Sequence, residues 1–113
     1  MKKFFILIPV YNDWESLFKL LDEINIVVKS INNVEFNCIV VNDSSTIEAP
    51  KFQVPSNIKS IELINMIKNR GHARCNAFGI RYLSTIENYN NVILMDGDGE
   101  DRPEEIKLLV NKA

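Results

Sequence analysis

The chain has 113 residues, of which 46% are hydrophobic, and a formal net charge of −2. That length suits one domain, residues 1–113, able to bury roughly two-thirds of its unfolded surface. The absence of a basic run excludes a nucleic-acid partner, and no stretch is long enough to span a bilayer.

The opening Met1-Lys-Lys-Phe-Phe-Ile-Leu-Ile-Pro-Val10 imitates a signal peptide. Its apolar run is short and leads into Tyr11-Asn-Asp-Trp-Glu15 without a small-residue cleavage site, so it reads as a buried strand. Phe4 to Val10 is continuously apolar, as a strand covered on both faces should be. Asn12, with Glu15 three residues on, matches a capping box. Leu17, Leu20, Leu21, Ile24, Val27, Val28 and Ile31 then recur at helical spacing, and Asn32-Asn33 ends the helix. Phe36 to Val41 is a second strand. Residues 42–57 are polar, contain Pro50 and Pro55, and form a loop. Ile58 to Ile64 is a third strand, Gly71 opens a helix running to about Thr85, and residues 88–91 form a turn. Val92 to Met95 is a fourth strand, and a last helix runs from Arg102 to about Lys112. Cys38 and Cys75 lack the spacing of a metal or redox motif and read as reduced thiols of a cytosolic protein.

Strand–helix alternation with short connections implies an α/β fold: a mostly parallel sheet with helices on both faces. Ligands of such sheets bind outside the carboxyl ends of the strands. All four polar signals fall there: Tyr11-Asn12-Asp13, Asn42-Asp43-Ser44-Ser45-Thr46, Asn69-Arg70-Gly71, and the acidic turn after Met95. In that turn Asp96, Asp98 and Glu100 occupy alternate positions, so an extended backbone points three carboxylates the same way, toward one hard cation. Helix capping accounts for Asp101 and Glu104 but not for Asp96 or Asp98. The pattern ends on a helix with no further strand, so a longer parent chain is expected.

Four motifs in this order carry a resemblance: Ile8-Pro9-Val10-Tyr11-Asn12, Val41-Asn42-Asp43-Ser44-Ser45-Thr46, Asn69-Arg70-Gly71-His72-Ala73-Arg74, and Met95-Asp-Gly-Asp-Gly-Glu-Asp-Arg-Pro-Glu104. Together they resemble the inverting family-two glycosyltransferases of GT-A (Rossmann-like) fold. The nearest branch is the polyisoprenyl-phosphate glycosyltransferases, which are dolichyl-phosphate mannose synthase-like. The resemblance covers essentially the whole chain and implies the donor-binding part of a truncated glycosyltransferase domain.

By that resemblance, the chain binds a UDP- or GDP-linked sugar with Mg²⁺ or Mn²⁺, and the sugar passes with inversion to a lipid phosphate or saccharide. Asp43 occupies the position that accepts base N–H groups, with Tyr11 and the Pro9 backbone flanking the base. Asn12, Asn69, Arg70, Gly71 and Arg74 complete the donor site. Asp98 is the candidate metal ligand, beside Glu100, while Asp96 binds either metal or ribose. No catalytic base is assigned within the chain; a polyisoprenyl-phosphate acceptor would sit in a C-terminal part, at the cytoplasmic face of a membrane. Departures are Asn42 for the first aspartate of the Asp-Asp pair, Ser44 for its glycine and Ile47 for its final aspartate.

Two other readings remain open. A nucleotide-binding fragment without turnover would share every donor motif. A haloacid-dehalogenase-type phosphatase would share the strand and Asp-x-Asp-Gly, but Glu100 replaces its threonine and no room remains for its later motifs. Gly-x-Gly-x-x-Gly after the first strand is absent, which excludes a Rossmann dehydrogenase. Asp101 and Lys107 stand where an EF-hand needs its glycine and its glutamate.

Overall fold

The structure, a computed structural model, describes residues 2–86, 91–96 and 103–112. Strand β1 (Lys2–Val10) leads through helix α1 (Trp14–Val28) to β2 (Val34–Asn42). After β3 (Ser60–Asn65) come α2 (His72–Leu83), β4 (Asn91–Leu94), a single 3₁₀ turn (Pro103–Glu105) and α3 (Ile106–Lys112). The described strands form one four-stranded sheet in the order β3-β2-β1-β4, with every pairing parallel.

Alternation along β1 builds two cores. Phe4, Ile6, Ile8 and Val10 face α1 and α3, joining Leu17, Leu21, Ile24 and Ile106. Phe5 and Leu7 face the other way, joining Ile39, Val41, Cys75 and Leu83 beneath α2. Helices therefore cover both faces, and the run from Phe4 to Val10 is buried throughout, Pro9 included. Strands β2 and β3 lie on one side of β1 while β4 pairs on the other, so the order reverses at β1. The crevice at its carboxyl end is where this architecture holds ligands.

Boundaries differ from the sequence reading where long-range contacts decide them. Strand β1 begins at Lys2 because Lys2 and Lys3 pair with Val34 and Glu35. Helix α1 ends at Val28, short of Asn32; Ser30 and Ile31 close tight turns on Val27 and Val28. Strand β3 starts at Ser60, and Ile58 plugs the core from a turn instead. Helix α2 stops at Leu83, where Ser84 and Thr85 turn their hydroxyls back onto the Arg81 and Tyr82 carbonyls. The last helix begins as the 3₁₀ turn at Pro103; Arg102 and positions 88–90 of the expected turn lie outside the described residues, and Asn91 belongs to β4.

The cap of α1 is a correction. Asp13, not Asn12, caps the helix, its carboxylate accepting from the Ser16 amide at 3.2 Å. Asn12 takes φ of 60°, a left-handed conformation that asparagine tolerates better than most residues. That turn aims its side chain away from the helix, and Glu15 closes no capping box there.

Candidate functional site at the strand ends

Asp43 is the hinge of the site. It follows β2, its amide donates to the Val10 carbonyl at 2.8 Å, and its side chain is only 1% exposed. The two carboxylate oxygens accept the backbone N–H groups of Arg70 at 2.6 Å and Gly71 at 2.9 Å. The Asn69 side-chain amide donates to the Asp43 carbonyl at 3.3 Å. Helix α2 has no side-chain cap and no acid in its first turn. A carboxylate from the segment after β2 thus takes the place of both and sits at the positive end of the helix. Gly71 makes the junction with φ 84° and ψ 158°, a region essentially reserved for glycine.

Cys75, one turn into α2, is fully buried behind this clamp. Burial first, and the adjacent Asp43 carboxylate second, push its thiol up to about 12. Cys38, on the opposite face of the sheet, is pushed up to about 12 by burial alone. Both cysteines are free thiols.

Asn12 organises the loop after Asp43. Its side-chain oxygen accepts the Thr46 amide at 2.8 Å and the Ile47 amide at 2.9 Å, while its own amide donates to the Ser45 hydroxyl at 2.8 Å. The Trp14 indole N–H donates to the Ile47 carbonyl at 2.9 Å. Asn42 joins two further segments: its oxygen accepts the Ser45 amide and its side-chain amide donates to Asn65. Ser44 adopts φ of 58°, which explains in backbone terms why a glycine suits this position. Its hydroxyl donates to the Ile67 carbonyl at 3.3 Å, anchoring the loop toward the end of β3.

The structure therefore brings Asn12, Asp43, Asn69, Arg70 and Gly71 together at adjoining strand ends. It gives several of them duties that sequence spacing could not reveal. Asp43 does not stand open to solvent, since each of its oxygens already holds a backbone N–H. Tyr11 is 41% exposed beside the crevice, and Pro9 lies buried within β1. The Arg70 and Arg74 side chains are exposed and line a groove on the outer side of α2. Asp96 follows β4 half-exposed, with one carboxylate oxygen 3.7 Å from Nδ1 of His72, the first residue of α2. No local pattern signals that pairing, because it joins segments separated by a helix and a strand. Asp98 and Glu100 lie outside the described residues. Among the described residues, no three His, Cys, Asp or Glu side chains gather as a metal-ion ligand set, and no helix is long and apolar enough to cross a membrane.

Comparison with known proteins adds two findings. A family model described as glycosyl transferase family 2 matches residues 5–113. The chain is also 32% identical over 116 aligned positions to the undecaprenyl-phosphate 4-deoxy-4-formamido-L-arabinose transferase of Proteus mirabilis (strain HI4320). That alignment covers 100% of this chain and 34% of the relative, so the chain spans about a third of the relative's length.

Proposed function

Because the chain belongs to glycosyl transferase family 2, we propose that it forms the donor side of a glycosyltransferase that binds a nucleoside-diphosphate sugar. The observation that carries this reading is the Asp43 clamp. It fixes the start of α2 beside the ends of β1 and β2 and brings His72 against Asp96 after β4. In this reading the amides of the first turn of α2, which an α-helix leaves without intrahelical partners, face the diphosphate. Exposed Tyr11 flanks the base, while the Arg70 and Arg74 side chains line the groove on the outer side of α2.

Asp43 acts on the donor through what it holds. Its charge and two hydrogen bonds set the position of Arg70 and Gly71, and a base N–H reaching it would share oxygens already in use. Because Asp43 places a negative charge near the same helix end, a second anion there needs compensation. A divalent ion held by Asp96 and, by their alternate spacing, Asp98 and Glu100 would supply it. Asp96 stands half-exposed at a strand end, and an all-oxygen set suits Mg²⁺ or Mn²⁺. When bound, such an ion neutralises charge developing on the diphosphate leaving group.

The name of the Proteus relative supports a polyisoprenyl phosphate as acceptor. Such an acceptor is already anionic and needs little help from a general base. Transfer with inversion follows from a single attack on the anomeric carbon opposite the departing diphosphate. Membership of the family leaves the dehalogenase-type phosphatase without support.

Calorimetric titration with UDP and GDP, with and without Mn²⁺ or Mg²⁺, tests the proposal. Metal-dependent binding of one nucleotide is expected, weakened in Asp96→Ala and Asp98→Ala proteins that keep their helical circular dichroism. Equal affinity with and without metal would remove the ion from the reading. Failure of both nucleotides to bind would remove the donor site itself.

A further inference from the structure

The outer face of α2 and the segment after β3 form a surface that the strand-end site leaves largely unused. Arg74, Phe78 and Arg81 recur at helical spacing on the side turned away from Cys75, Gly79 and Leu83, which pack on the sheet. With Arg70 they line a groove of about 540 Å³. A second hollow of about 380 Å³ shares Arg70 and Phe78 and adds Ile67 and Lys68. No carboxylate is found among the described residues that line either hollow. Among the described residues, none of Lys68, Arg70, Arg74 and Arg81 stands in an ion pair. Four cations thus share one face of a chain whose net charge is −2.

Apolar side chains stand between these charges. Ile67, next to Lys68, is 93% exposed, and Phe78 is 40% exposed. A cationic face alone would suit any polyanion. Cations interleaved with protruding aliphatic and aromatic groups suit an interface that is anionic at its surface and apolar just beneath. We propose that this face docks on an anionic lipid bilayer. Lys68, Arg70, Arg74 and Arg81 meet the headgroups, while Ile67 and Phe78 enter the acyl boundary. Charge complementarity selects the partner, and the exposed Ile67 selects a bilayer over a nucleic acid or an acidic protein, neither of which rewards burying an isoleucine among phosphates or carboxylates. The inference stands on this surface and does not depend on the chain's part in sugar transfer.

Co-sedimentation of the chain with phosphatidylcholine vesicles, with and without phosphatidylglycerol, tests it. Binding is expected only to the anionic vesicles, and added salt should weaken it. Each basic residue near such a surface contributes about fivefold, so Lys68→Ala combined with Arg81→Ala should weaken partitioning by about 25-fold. An Ile67→Trp variant should shift its fluorescence to the blue on anionic vesicles alone, reporting insertion. These positions are exposed, and circular dichroism of each variant checks that it is folded. Equal binding to neutral vesicles, binding to an oligonucleotide but to no vesicle, or an Ile67→Trp emission unmoved by anionic vesicles would each overturn the proposal.

Discussion

Replacing Asp43 by asparagine keeps the shape of the side chain and inverts one half of its chemistry. In the native protein the two oxygens each accept one backbone N–H, from Arg70 and from Gly71. In Asp43→Asn one oxygen becomes an NH₂ group pointing at an amide that also donates, and the remaining bond loses its charge. Hydrogen bonds to charged groups contribute about 1.5–3 kcal/mol each. Water can reach the exposed Arg70 and Gly71 after the change, which limits the penalty. A loss of about 2 kcal/mol is therefore expected, and Asp43→Ala, which removes both acceptors, should lose about 3 kcal/mol. For a domain near this size, 2 kcal/mol lowers Tm by about 10 °C. Urea unfolding followed by circular dichroism measures the loss, with the m value unchanged. Hydrogen exchange assigns it, since the Arg70 and Gly71 amides should lose protection before the core strands do. The same variant removes one of the influences on Cys75, so its thiol should titrate below about 12 while burial, the larger cause, holds it above its ordinary value. An Asp43→Asn protein with native stability and native protection at both amides would refute the clamp.

Gly71→Ala tests the junction from the other side. No atom crowds a Cβ there, so the expected loss of about 1–3 kcal/mol comes from the backbone conformation alone, read as a lower urea midpoint. Gly79→Ala meets the opposite difficulty, because a Cβ would press on the δ-methyl groups of Leu7 in the core. Overpacking of about 1–3 kcal/mol, offset by about 1 kcal/mol of helix propensity, should leave the variant less stable in the same assay. Alkaline pH should destabilise the fold. Above about pH 9 an unfolded chain releases its thiol protons, whereas folded Cys38 and Cys75 hold theirs to about 12. The unfolded state then binds fewer protons and stability falls as pH rises through that window. Removing one thiol in Cys38→Ala should flatten the decline between pH 9 and 12, and an unchanged slope would argue against the buried thiol as its source.

The alternation of strands and helices was written in the sequence, because burial on both faces demands continuous apolar runs and amphipathic helices demand a 3.6-residue period. Phe4 to Val10 and Leu17 to Val28 show those two patterns plainly, and the order of the polar motifs sufficed for the family. Local rules fell short where two residues could do one job. Asn12 and Asp13 both make good caps, and the choice fell to Asp13 because Asn12 is held by Ser45, Thr46 and Ile47, more than thirty residues away. The ends of β1, α1 and β3 likewise follow pairing and packing partners rather than propensity. In the candidate site, sequence placed Asp43, Gly71 and Asp96 at the right ends of the right strands. Only the folded chain showed that Asp43 spends its carboxylate on the Arg70 and Gly71 amides and that Asp96 lies against His72. Hydrophobic period is a property of neighbouring residues and survives in one dimension. The partner of a buried carboxylate is set by which loops the sheet brings side by side, and that is decided only when the strands have paired.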